Sequence, residues 1–210
     1  IRGRCSASRS RTISRMKPLW QVVIAVVALV AAIGSPHAES LALERMTSTE
    51  VAAALAGGKR IALGPIGGIE QTGSPVALGK HNRRAELLAE AIAQRLGNAL
   101  VAPVVAYVPE GGIDPPSSHM RFTGTISIPS EAFVATLESI GASLARHGFA
   151  DIVFLGDHGG YQADIARAVR RLDRRLAGTA SRADALPEYY RAASAGFDAI
   201  LGCQDAKHML

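Results

Sequence analysis

The sequence predicts a doubly wound α/β domain, three layers deep, with a mostly parallel sheet and helices on both of its faces. Three observations carry this. From Ser40 onward, short apolar runs alternate with longer segments of helical periodicity, the pattern of strands joined by helical crossovers. The 210 residues are 48% hydrophobic, enough for one sizeable core. The apolar run Ile152 to Leu155 reads as a buried strand, and the glycine-bracketed GDHGG after it falls where a strand gives way to a helix.

Taken in order, Thr47 or Ser48 caps a helix that runs through Ala56 and stops at Gly57 and Gly58. Arg60 to Ile66 is a first strand. Asn82 to Leu96 is an amphipathic helix with Leu87, Leu88, Ala91, Ile92 and Leu96 on one side and Arg83, Arg84, Glu86 and Glu90 on the other, ended by Gly97. Ala99 to Val108 is a second strand, and Pro103 inside it indicates an edge or a bulge. Phe122 to Ile128 is a short third one. Ser130 caps a helix carrying Phe133, Val134, Leu137, Ile140 and Leu144 at helical spacing, which Gly148 ends. After the strand Asp151 to Leu155 come a helix from Tyr161 to Leu176 with a basic outer face, a weak strand at Arg182 to Leu186, and a helix from Pro187 to about Leu201.

The formal charge of +5 is misleading. Six of the basic residues, Arg2, Arg4, Arg9, Arg11, Arg15 and Lys17, lie before residue 38, where there is no acid, leaving 17 basic against 18 acidic residues. Nothing basic remains to attract phosphate, so a nucleic-acid partner is not expected. Residues 1–15 read as an upstream translated segment or a disordered leader. Residues 16–38 read as a signal peptide: Met16 and Lys17, an apolar run Val22 to Ile33, then Gly34, Ser35 and Pro36 before Ala38. The run is shorter than the roughly 20 residues of a membrane span. The expectation is a periplasmic or secreted domain over residues 39–210, without a stable span once the signal is cleaved. Cys5 precedes the signal and only Cys203 follows it, so any metal here must use His, Asp or Glu.

Candidate chemistry sits beyond the strand ends, where ligands bind in open parallel sheets. Glu70 follows the glycine turn after the first strand, His81 lies eleven residues on, and His158 follows the core strand. Together Glu70, His81 and His158 make a three-ligand set for a divalent metal with an open position for water. Asp157 or His119 is the group that takes or returns a proton; Asp157 is alternatively the partner that orients a metal-bound imidazole. The long loop 109–125 reads as a lid or a proline-held surface excursion, and its Glu110 and Asp114 are read as part of that excursion. GPIGG at 64–68 lacks the spacing and the Lys-Ser/Thr partner of a phosphate loop.

The ordered segments PIGGIEQTG, LGKHN, FTGTISIP and HGFADIVFLGDHGGY, over roughly Ile61 to Ala177, resemble the creatininase (creatinine amidohydrolase) family. The resemblance implies an α/β fold, a dinuclear centre of zinc or manganese with iron also suited, hydrolysis of a small amide or cyclic amide, and a homo-oligomer. It places Glu70 and His158 on family ligands. His81 falls where the family has a bridging Asp, Thr72 where it has a second-metal His, and Gly160 where creatininase has a Glu; Pro75 replaces a further His. These departures leave one metal site expected, with a non-catalytic metal- or ligand-binding pseudo-enzyme of the same fold as the alternative. The family continues into a C-terminal segment where this chain has GCQDAKHML, so a truncated sequence or an open pocket is expected there.

Overall fold

The computed structural model describes residues 40–201; the leader, the signal segment, Cys5, Cys203 and His208 lie outside the described residues. Helix α1 (Ser48–Ala56) begins with a capping box, in which Thr47 Oγ1 accepts the Glu50 N–H and the Glu50 carboxylate accepts the Thr47 N–H at 2.7 Å. Strand β1 (Ile61–Ile66), helix α2 (Lys80–Leu96) and strand β2 (Ala99–Val101) follow. Then come α3 (Ser130–Arg146), β3 (Asp151–Gly156), α4 (Gln162–Leu176), β4 (Arg182–Ala185) and α5 (Pro187–Leu201).

The four strands form one sheet in the order β2-β1-β3-β4, and every pairing is parallel. Ile61 to Ile66 runs in register with Asp151 to Gly156. Side chains alternate across this pair, as the period of two requires. Ala62, Ile66, Ile152 and Phe154 face α1, α3 and α4 in the larger core, with Phe133, Leu137, Ile165 and Leu172. Leu63 and Leu155 face α2 and α5, with Ala89, Ala93 and Tyr189. The three layers expected from the alternation of elements are present.

Four local expectations give way. The second strand ends at Val101; the Ala102 N–H still donates to the Leu63 carbonyl at 2.8 Å, and past Pro103 the chain meets β1 through an isolated bridge from Val105 to Ile66. Residues 122–128 form no strand; their apolar alternation meets β-type pairing only where Ile126 bridges Ile69. Ser130 is the first residue of α3 rather than its cap, the cap position being Pro129. Helix α2 also starts two residues before the expected Asn82, which puts Lys80, His81 and Arg84 in its first turns.

Helices α3 and α4 approach closely at Gly141, where a Cβ would lie 2.1 Å from Leu172 Cδ2. Leu172 is fully buried in that contact, whereas Leu87 on α2 is 47% exposed. Leu172→Ala should therefore lose about 2–5 kcal/mol of unfolding free energy in urea titrations. Leu87→Ala should stay within about 0.5 kcal/mol of the parent.

Candidate metal centre

Three chain segments meet at the carboxyl end of the sheet, and the first is the turn after β1. Gly67 packs so tightly on α2 that a Cβ would meet Asn82 Cα at 2.7 Å, and the Gly68 N–H donates to Asn82 Oδ1 at 2.8 Å. Gly68 has φ +153°, and a Cβ there would lie 2.5 Å from Glu110 Oε1. Only glycine fits both constraints. The turn delivers Glu70, almost wholly buried, to the centre.

The second segment follows β3. Tyr161, fully buried, donates its hydroxyl proton to the Gly67 carbonyl at 2.6 Å and accepts the Asp157 N–H at 3.2 Å, so one side chain joins the ends of β1 and β3. Burial first, then the negative charges of Asp157 and Glu110, hold that phenol well above its usual pKa and keep it a donor. Asp157 is fully buried, and its carboxylate accepts from His81 Nδ1 at 2.7 Å, Arg84 Nε at 2.9 Å and the Tyr189 hydroxyl at 3.2 Å. Both of its oxygens are thus taken by groups that fix α2 and α5. This carboxylate orients an imidazole, but that of His81, and both of its oxygens are engaged by donors from the protein.

The third segment is the loop after residue 108. The Glu110 N–H donates to Ser127 Oγ at 2.9 Å, and Ser127 Oγ donates to the Gly111 carbonyl at 2.8 Å, which turns the Glu110 side chain inward. His119 lies on a single 3-10 turn, Ser118–Arg121. Its Nδ1 is 3.2 Å from the Gln71 carbonyl; donation there leaves Nε2 with its lone pair, 3.2 Å from Glu70 Oε2.

Glu70, Glu110, His119 and His158 each offer one ligand atom, and these four atoms lie within 4.8 Å of one another. Of the candidates read from sequence, Glu70, His119 and His158 are brought together here. His119 stands among the ligands. His81 lies beside the group with both ring nitrogens occupied, Nδ1 by Asp157 and Nε2 by Glu70 Oε1 at 2.8 Å, so it presents no lone pair to the cluster. Glu110 is the member that sequence reasoning left in the surface excursion, whereas Asp114 is exposed as expected there. An acid between an apolar run and two glycines was the available signal, and many surface loops share it.

Glu70 Oε2, both oxygens of Glu110 and His158 Nδ1 are buried without a hydrogen-bond partner. Buried polar atoms are rarely left so, and four at one point make a set of lone-pair atoms that a cation would satisfy. Carboxylate and imidazole donors suit zinc, manganese or iron. Burial raises the pKa of Glu70, but the His81 hydrogen bond and the charge and hydrogen bond of Lys80 outweigh it and hold the carboxyl well below its usual range. Burial and the neighbouring Glu70 charge push Glu110 up to about 8. Burial, which outweighs the attraction of Glu70, brings His158 down to about 4, so its imidazole is neutral and free to coordinate.

A family model for creatinine amidohydrolase matches residues 44–207. The mycofactocin precursor peptide peptidase of Mycobacterium tuberculosis is 34% identical over 114 residues, 50% of this chain and 43% of that protein. The peptidase of the same name from Mycobacterium ulcerans is 35% identical over 117 residues, 51% of this chain and 44% of that protein. The chain therefore spans less than half the length of the curated relatives it matches. Among solved structures, a tryptophan-to-alanine variant of creatininase aligns with a TM-score of 0.63 at 25% identity, over 70% of this chain and 58% of that one. A manganese creatininase aligns with a TM-score of 0.61 at 25% identity, over the same 70% and 58%. A glutamate-to-glutamine variant of zinc–zinc type gives 0.60 at 26% identity, over 70% and 57%.

Asp157→Ala should cost about 3–5 kcal/mol of stability in the metal-free protein, because it removes at once the buried acceptor of His81, Arg84 and Tyr189. Urea denaturation in the presence of a chelator measures this, and a loss below about 1 kcal/mol would contradict the anchoring role.

Proposed function

The chain belongs to the creatininase family, and from this premise we propose that it is a metal-dependent hydrolase of an amide C–N bond, acting on a small amide or cyclic amide. The carrying observation is the set of buried, unpartnered ligand atoms on Glu70, Glu110 and His158, with His119 Nε2 beside them. Glu70, Glu110, His119 and His158 would hold the ion. A divalent ion there supplies a Lewis acid that polarises an amide carbonyl and makes water acidic enough to attack it at neutral pH.

The protein groups supply orientation and proton transfer. The Gln71 carbonyl holds the His119 ring by its Nδ1–H, and the Ser127 hydroxyl fixes the backbone at Glu110. Hydrolysis adds water to the carbonyl carbon, breaks the C–N bond and returns one proton to the leaving nitrogen, so a group that first takes and then gives that proton is needed. Glu110 is that group in this reading. The second oxygen of Glu70 is filled by donors from the protein, whereas both Glu110 oxygens are free, one beyond what a single ion requires. The secretory pattern of residues 16–38 puts the activity beyond the inner membrane in the same proposal.

A second reading, a peptide amide as substrate, is favoured by the likeness to the mycofactocin precursor peptide peptidases. Elemental analysis of the purified chain should find bound transition metal, lost in Glu70→Ala and His158→Ala. Chelation should abolish turnover and lower Tm, since an ion that binds only the folded state stabilises it. Release of amine should be screened on cyclic amides and on short peptides in parallel. Cyclic amides alone would support the main reading and peptides alone the second; metal with no turnover on either would favour the pseudo-enzyme.

A further inference from the structure

We infer that the centre takes a single ion because the ammonium of Lys80 is a built-in cation on the other side of Glu70. The inference rests on the proposed metal reading and concerns how the two oxygens of that carboxylate are divided.

Glu70 Oε1 accepts from Lys80 Nζ at 3.0 Å and from Thr72 Oγ1 at 3.1 Å, and His81 Nε2 lies 2.8 Å from it. Lys80 Nζ also contacts Thr72 Oγ1. An oxygen with two donors and an imidazole nitrogen packed against it has no lone pair left for a metal. Oε2 of the same carboxylate has no hydrogen-bond partner and faces Glu110, His119 and His158. One oxygen is thus saturated by the protein and the other is left for an external ion.

Lys80 is well placed for this part. Its side chain is 17% exposed, so little water screens its charge, and it sits one residue before His81, which the Asp157 carboxylate holds in place. Helix α2 carries both groups on its first turn. A second divalent ion on Glu70 Oε1 would have to displace these donors and lie against the ammonium, where like charges in a poorly screened site repel strongly. Thr72 and Gly160, standing where the resembling family has metal ligands, offer only a hydroxyl and no side chain. The chain carries a positive charge of its own where a second ion would lie, one unit in place of two, as part of its covalent structure.

The test counts ions. The full chain is loaded with excess Mn2+, freed of loosely bound metal, and examined by native mass spectrometry and electron paramagnetic resonance. The parent, Lys80→Arg and Thr72→His should each hold one ion per chain with the spectrum of isolated Mn2+, because a fixed cation remains in all three. The double variant Thr72→His with Lys80→Met, which adds a ligand and removes the ammonium, should rise to two ions with an exchange-coupled spectrum. Retention of the first ion shows that this variant is folded. Two ions in the parent, or a double variant that stays at one, would overturn the role of Lys80. No ion in the parent would instead overturn the proposed metal-dependent function from which this inference starts.

Discussion

A fully buried carboxylate at the end of the central strand must be paired wherever it sits, and Asp157 meets that demand with groups from two helices. His81 and Arg84 come from α2 and Tyr189 from α5, while the Asp157 backbone N–H reaches the hydroxyl of Tyr161. The start of α2 is thereby fixed against the end of β3. Lys80 and His81 can then reach Glu70, and Glu70 keeps one oxygen turned toward His158. The arrangement of the centre follows from neutralising this one charge.

The same bonds explain why the protein tolerates unsatisfied atoms beside them. A buried carboxyl group without partners costs free energy, and Glu110 has both oxygens in that condition. Its backbone is nevertheless fixed by Ser127, and its surroundings are set by the Gly67–Gly68 turn on one side and by His158 on the other. Rigid surroundings keep the side chain from relaxing into solvent. The centre is prepared for a cation by structure whose own hydrogen bonds are complete.

Much of this was legible in the sequence because it depends on local pattern. The buried strand Ile152 to Leu155, the helical periodicity of Phe133 to Leu144, and the glycine-bracketed acids and imidazoles after β1 and β3 are all short-range signals. Glu110 was not legible. Its burial depends on Ser127, seventeen residues away, and on a loop without periodicity. The role of His81 depended on where a helix begins. With the start set at Asn82, His81 reads as a loop residue free to bind metal; with the start at Lys80 it shares a helical face with Arg84, and both side chains turn to Asp157. Residues 122–128 show the opposite failure, since they alternate like a strand but lie beside too little of a partner to become one.

Pro103 does more than shorten a strand. An outer strand of a parallel sheet carries a row of unpaired amides that can template the addition of a foreign chain, a route to aggregation. Here that strand is three residues long, its extension is blocked by the proline, and its outer side is partly capped where the Val101 N–H donates to the Leu41 carbonyl at 2.7 Å. That margin of the sheet offers too short a ladder to recruit another protein. Beyond the proline the same chain is still tied to β1, where Val105 donates to the Pro65 carbonyl and accepts the Gly67 N–H, before it goes on to supply Glu110, so the segment that shields this margin also completes the centre.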